Sequence, residues 1–148
     1  PEIADGFSIE SLVDDPDGAY DGINECTRQA FGSTYDFRPG LRSIEGNPFF
    51  HPELSVFARS PDGRIAAYCR GTVDPDNGVC GIDPICTHPE FHRLGLGKAV
   101  VLTCFQRQRD LGGRFSYVGS GPEPAPSTYL YRSLGPSGRA DTSTWRAS

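Results

Sequence analysis

The sequence predicts a mixed α/β (α+β) fold in which a mostly antiparallel sheet is flanked by helices. Three observations carry that prediction. Strand-like runs between Leu54 and Thr87 are separated by the turn strings Ser60-Pro61-Asp62-Gly63 and Asp74-Pro75-Asp76-Asn77-Gly78, the pattern of an antiparallel meander. Apolar residues recur at helical spacing after Asp17 and again after Gly95. A glycine-rich, locally basic turn joins the last meander strand to the second of these helices. At 148 residues the chain suits one domain, spanning 1–148, and no internal repeat or linker divides it.

The elements follow in order. Gly6–Leu12 alternates, with Phe7 and Ile9 against Ser8 and Glu10, as a first strand does. The acidic, turn-rich stretch Val13–Gly18 can cap a helix from about Asp17. Tyr20, Ile23, Cys26, Ala30 and Phe31 form that helix's apolar face, and Gly32 stops it. Ser33–Pro52 is long, irregular and aromatic; a loop of that length is usually functional or holds a short helix. We expect a short helix near Arg38–Glu45 and a substrate-facing lid. Tyr35, Phe49 and Phe50 within it serve either an acceptor pocket or packing. Leu54–Arg59, Arg64–Val73 and Val79–Thr87 are the meander strands, and Pro84 demands a bulge or an edge position because proline donates no ladder hydrogen bond. The helix after Gly95 carries Val100, Val101, Cys104, Phe105 and Leu111 on one face and Lys98, Gln106, Arg107, Arg109 and Asp110 on the other, and Gly112-Gly113 ends it. Arg114–Val118 is a short strand and Gly119–Pro126 a loop. Pro126 opens a last helix that Gly135 closes. In the polar tail, Thr142–Arg146 is the best strand.

Composition excludes several functions. A net charge of −5 argues against a nucleic-acid partner, which needs a basic face. The small basic cluster of His92, Arg93 and Lys98 instead fits one small polyanion. No apolar run approaches a membrane span, and Pro1–Glu10 lacks the basic start and apolar core of a signal peptide. The five cysteines are odd in number, contain no C-x-x-C, and sit mostly among apolar neighbours. They read as reduced core thiols of an intracellular protein, so a cytoplasmic location and no membrane partner are expected.

The stretch Thr87-His88-Pro89-Glu90-Phe91-His92-Arg93-Leu94-Gly95-Leu96-Gly97-Lys98 organises the chain. A strand end, a glycine turn and a helix start in this order direct backbone N–H groups and a helix N-terminus at one spot, which suits phosphate. A dinucleotide fingerprint fails because Val100 stands where its third glycine belongs, and a P-loop fails at His92 and Ala99. The remaining pattern resembles the GNAT superfamily of N-acetyltransferases. Ile85 to Gly97 is similar to the family's strand, Pro-Glu-aromatic string and Gln/Arg-x-x-Gly-x-Gly turn, and Tyr129-Leu130-Tyr131-Arg132-Ser133-Leu134-Gly135 to its late Leu-Tyr-x-x-x-Gly-Phe helix. The resemblance spans nearly the whole chain. His92 departs from the Gln/Arg position, although Arg93 adjoins it; Pro124 stands near the family's Asn, and Gly135-Pro136 replaces the final Gly-Phe. Thr-His-Pro at the strand end and Arg64-Ile65-Ala66-Ala67 also resemble the tandem-domain proteins around mycothiol synthase, so a second GNAT domain or a homodimer is a compatible partner.

The resemblance implies a GNAT acyl-CoA N-acyltransferase fold and an acetyl-CoA-dependent N-acetyltransferase with a small-molecule amine acceptor. The alternative is a non-catalytic acyl-CoA-binding or regulatory domain. By the same resemblance, pantetheine extends the sheet edge near Ile85 and Thr87. A backbone amide at Cys86 or Thr87 polarises the thioester, and the pyrophosphate lies over the amides of Arg93, Leu94, Gly95, Leu96, Gly97 and Lys98, with His92 beside them. Tyr131 matches the family's general acid, its other reading being a core aromatic. Strand alternation puts Asp83 on one face with Ile85 and Thr87, which makes it a candidate base or else a salt-bridge or bulge partner. His88, His51 and a water chain are the other bases. His88 and His92, four apart, are a poor metal pair across Pro89, so no metal is expected. Cys86 as a covalent nucleophile lacks an activating base. The acidic charge and aromatic loop favour a small amine, cationic ones included, over a histone-like tail.

Overall fold

The computed structural model describes residues 2–119 and 126–140. Its strands are β1 (Ser8–Ser11), β2 (Phe50–Arg59), β3 (Ile65–Asp74), β4 (Val79–Thr87) and β5 (Phe115–Val118), and its helices α1 (Ala19–Phe31), α2 (Arg38–Ser43), α3 (Leu96–Asp110) and α4 (Pro126–Ser133). Short 3-10 turns cover Ile44–Gly46 and Pro89–Phe91. The sheet runs β1-β2-β3-β4-β5. The first four strands pair antiparallel, and β5, reached through α3, pairs parallel to β4.

The two sheet faces bury different helices because the alternation of β2 and β3 is apolar on both sides. Phe57, Ile65, Tyr68 and Cys86 pack with Tyr20, Ile23 and Cys26 of α1 and Leu41 of α2. Val56, Ala67, Cys69, Val73 and Ile82 pack with Leu96, Val100, Val101 and Cys104 of α3. A fully buried Leu, Ile or Val contributes about 1.5–3 kcal/mol. The left-handed Gly32 (φ 60°) ends α1 as expected, and Gly95 (φ 75°) stands at the start of α3. All five cysteines are free and buried. Among the described residues no helix is long and apolar enough to cross a membrane.

Two elements differ from the expectation. β2 begins at Phe50 rather than Leu54, because the pairing jumps from Phe50↔Thr72 to Ser55↔Arg70 and an irregularity absorbs Pro52. The loop before it holds α2 and the Ile44–Gly46 turn, as the aromatic stretch suggested. The expected Thr142–Arg146 strand and Pro124 lie outside the described residues.

Candidate functional site

The site is a fork in the sheet. β4 and β5 pair only from Val79↔Phe115 to Ile82↔Val118. Beyond Ile82, β4 continues to Thr87 with β3 on one side and, among the described residues, no strand on the other. Gln108 of α3 holds the closed end. It is fully buried; its Nε2 donates to Thr72 O (3.0 Å) and Gly81 O (2.8 Å), and its Oε1 accepts from Ser116 Oγ (2.9 Å). One side chain therefore joins β3, β4 and β5 where the fork begins.

A bulge sets what each fork residue faces. Ile82 opposes Gly71 and Ile85 opposes Cys69, so β4 spends one residue more than β3 across Asp83-Pro84. The extra residue inverts the alternation. Ile82 and Ile85 both face α3, whereas Asp83 shares the α1 face with Thr72, Gly81 and Arg70. Asp83 is thus not on one face with Ile85 and Thr87, as unbroken alternation had it. The ladder also distinguishes backbone groups. His88 N donates to Ala66 O (2.9 Å), and residues directly opposed in an antiparallel pair alternate between bonded and unbonded, so Cys86 bonds to β3 and Ile85 and Thr87 present theirs to the fork. Cys86, expected beside Ile85 and Thr87 along the ligand, thus turns its backbone groups to β3 rather than to the fork. Its thiol also points away, 4.0 Å from Cys26 Sγ and 3.8 Å from Thr27 Oγ1. That sulfur contact and burial hold the Cys26 thiol well above the usual range.

The turn after β4 is built to receive an anion. Pro89-Glu90-Phe91 anchors it: Phe91 is buried edge-on to Phe7 (5.8 Å), and Arg64 lies over its ring (4.7 Å) while pairing with Glu90 (2.8 Å). Arg93 (φ 64°) and Gly95 (φ 75°) then adopt left-handed backbone, which curls successive N–H groups inward. Among the described residues no backbone N–H from Arg93 to Lys98 donates to another group. A Cβ at Gly95 would meet nothing within 4 Å, so the space above it is open; one at Gly97 would lie 2.9 Å from Thr87 Oγ1. Unpartnered amides, an open approach and a helix N-terminus fit a diphosphate. Leu96 enters this set through its backbone alone, since its side chain is core. His92 braces the turn: its Nε2 lies 3.2 Å from Thr87 O. Lys98 Nζ donates to Ser133 O (3.2 Å), tying the turn to the end of α4.

α4 delivers Tyr131. Burial, and then the negative charge of Asp83, pushes its phenol above the ordinary tyrosine range, against a hydrogen bond with Ser127. The two sequence-predicted catalytic residues therefore come within electrostatic range of each other. Asp83 also lines a cavity of about 600 Å³ on the α1 face of the fork, with Asn47, Phe50, Arg70, Thr72 and Tyr117. Its wall is braced by Tyr20, whose hydroxyl donates to Glu45 in the Ile44–Gly46 turn; burial, then this bond, raises the Tyr20 pKa to about 12.

The remaining candidates lie elsewhere. Tyr35 packs edge-on to Phe37 (5.0 Å), and Phe49 lines a separate hollow beside Val79. His88 is buried and its Nδ1 accepts from Glu90 N (3.2 Å), a capping role. His51 follows Phe50 in β2 and points to the opposite face, with Nδ1 3.9 Å from Glu53. Among the described residues no group of three or more His, Cys, Asp or Glu could hold a metal ion. Sequence reading missed Gln108 and Arg70. Gln108 sits on the stripe of Val101 and Cys104, a lone polar residue at an apolar position; Arg70 is the one charge in Ile65–Val73. Both are visible once the buried faces are known.

A model described as the acetyltransferase (GNAT) family matches residues 18–135. No curated protein sequence matches significantly. Solved structures share the fold. An aminoglycoside acetyltransferase from an uncultured soil metagenomic sample, in complex with sisomicin, superposes with a TM-score of 0.80 at 14% identity, over 99% of this chain and 99% of its own. AAC(6')-Iy in complex with the bisubstrate analogue CoA-S-monomethyl-acetylneamine gives 0.75 at 16% identity, over 96% and 98%. The ribosomal-protein-S18-alanine N-acetyltransferase from Escherichia coli gives 0.69 at 19%, over 87% and 76%.

Proposed function

Because the chain belongs to the GNAT acetyltransferase family, we propose that it moves an acetyl group from acetyl-CoA to a primary amine of a small molecule, directly, in one ternary complex. The observation that carries this is the fork itself: at one end the amides from Arg93 to Lys98, unpartnered among the described residues, Tyr131 and Asp83 at the other, and between them the edge of β4, which no described strand pairs. When bound, acetyl-CoA supplies a thioester carbon to which the amine nitrogen bonds as the C–S bond breaks, the amine losing one proton and the sulfur gaining one.

The chain's own groups divide the work. Arg93–Lys98 bind diphosphate oxygens through backbone N–H, and the α3 dipole adds about 0.3–1 kcal/mol per charge. The Thr87 N–H, facing the fork, polarises the thioester carbonyl. Tyr131, kept protonated by burial and by Asp83, holds the proton that the sulfur takes. Asp83, exposed at the fork, takes the proton from the amine and returns it to solvent, from which Tyr131 recovers the one it gave. The test mixes acetyl-CoA with a panel of amines and measures free CoA. Turnover on at least one amine, lost in Tyr131→Phe, supports the reading. Acetyl-CoA binding without turnover on any amine favours a binding domain instead, and undiminished turnover in Tyr131→Phe removes the acid role.

A further inference from the structure

We propose that the acceptor is an amino-carboxylate, a small molecule carrying its amine and a carboxylate together, with Arg70 as the residue that selects it. The inference rests on the transfer reading above. Two charged side chains of opposite sign, Asp83 and Arg70, line the acceptor-side cavity, and its other polar side chains, Asn47, Thr72 and the Tyr117 phenol, are neutral. Arg70 Nε donates to the Asp83 carbonyl oxygen (3.2 Å), which fixes the guanidinium beside the bulge and, among the described residues, leaves its terminal nitrogens uncommitted. Among the described residues, neither Arg70 nor Asp83 ends in an ion pair.

A guanidinium held through Nε still presents two parallel donors, the geometry that a carboxylate matches and an amine does not. Asp83 and Arg70 together make the lining neutral, so a polyamine would set its second ammonium against Arg70, whereas a zwitterion satisfies both charges at once. Asp83 then receives the amine next to Tyr131, and Arg70 orients the molecule by its carboxylate. A cavity of about 600 Å³ is larger than the smallest amino acids need, and Phe50 and Tyr117 supply apolar surface for a side chain. In the reaction the acceptor's ammonium first gives one proton to Asp83 and so to solvent; the neutral nitrogen then forms the C–N bond and loses a second proton, the acetyl C–S bond breaks and its sulfur gains one, and the carboxylate is unchanged.

The experiment compares L-phenylalanine with L-phenylalaninamide and with spermidine, on the full chain with saturating acetyl-CoA, reading kcat/KM from CoA release. The amide has the less basic amine, so near neutral pH more of it is uncharged and ready to react, and protonation alone favours it. The expected result is a preference for phenylalanine over its amide of about tenfold or more, the worth of one charged hydrogen-bonded contact. Arg70→Gln collapses that ratio toward unity, and Arg70→Glu inverts it. Preference for the amide or spermidine in the unaltered chain, or an unchanged ratio in both variants, overturns the proposal. If acetyl-CoA binds yet no amine is turned over, the transfer reading fails alone. Calorimetric binding of phenylalanine against its amide then decides the pocket: tenfold tighter binding of the carboxylate upholds the selection, and equal or weaker binding overturns it.

Discussion

Replacing Gln108 with leucine tests what keeps the fork closed at one end. The side chain is fully buried and makes three hydrogen bonds, to Thr72 O, Gly81 O and Ser116 Oγ, at 3.0, 2.8 and 2.9 Å. Leucine has nearly the same volume, so no large cavity forms and the loss is that of the bonds. At about 1 kcal/mol net per bond the variant loses about 3 kcal/mol, less a partial recovery as Ser116 turns to water. With a urea slope of about 2 kcal/mol per molar, the unfolding midpoint falls by about 1–1.5 M. Far-UV circular dichroism in urea reads this directly. Ser116→Ala, which removes only the bond toward β5, shifts it by about 0.5 M or less. A Gln108→Leu midpoint within about 0.3 M of the parent would falsify the idea that this side chain staples three strands. The binding consequence follows from the same geometry: β5 freed from Gln108 closes less faithfully on β4, so the KM for acetyl-CoA rises in the leucine variant.

Three further outcomes are expected. Tyr131→Phe lowers kcat by about a hundredfold with the KM for acetyl-CoA nearly unchanged. Because the Tyr131 pKa is raised by burial and by Asp83, its proton is present throughout the neutral range, and the rate shows no basic limb from this residue below the ordinary tyrosine pKa of about 10. Linkage has the same sign: the stability due to the raised pKa is complete below the unfolded value and is lost as pH climbs through the folded one, which a urea series at high pH reads. Gly95→Val, forcing a β-branched residue to φ 75° and filling the open approach, weakens acetyl-CoA binding tenfold or more in calorimetry, whereas His92→Ala, losing only a brace to Thr87, weakens it a few-fold. The reverse order removes the backbone-amide account. Finally, a disulfide-exchange thiol reagent labels none of the five cysteines in the native protein, since each is 5% exposed or less; fast labelling of any one contradicts the packing described.

Much of this was legible in the residues because turn chemistry and periodicity are local. Pro-Asp-Gly and Asp-Asn-Gly strings placed the meander, and Gly95 marked the start of α3 from its backbone needs alone. What escaped depended on partners. Pro84 announced a bulge, but how many residues it absorbs is decided by β3, through Gly71 and Cys69 opposite Ile82 and Ile85. The face of Asp83 followed from that count, so unbroken alternation gave the wrong side. Pro52 similarly disguised the first residues of β2, whose pairing with Thr72 resumes the strand across an irregularity. Gln108 and Arg70 were unread for the opposite reason. Each interrupts an apolar pattern, and such interruptions acquire meaning only when two strand carbonyls and a serine hydroxyl, or a cavity wall, stand opposite them.

The fork also bears on how the chain behaves in crowded solution. From Asp83 to Thr87, β4 presents a row of backbone donors and acceptors that no strand covers among the described residues. Such a rim is a template on which another polypeptide can add a strand, the first step of ordered aggregation. Pro84 interrupts the template at one position, since it has no N–H to offer. Among the described residues no strand covers the rest, so what blunts it is whatever lies in the opening. Solubility and loading are therefore coupled in this architecture: a molecule that fills the fork also seals its stickiest margin, and the chain stripped of one keeps that margin available to its own kind.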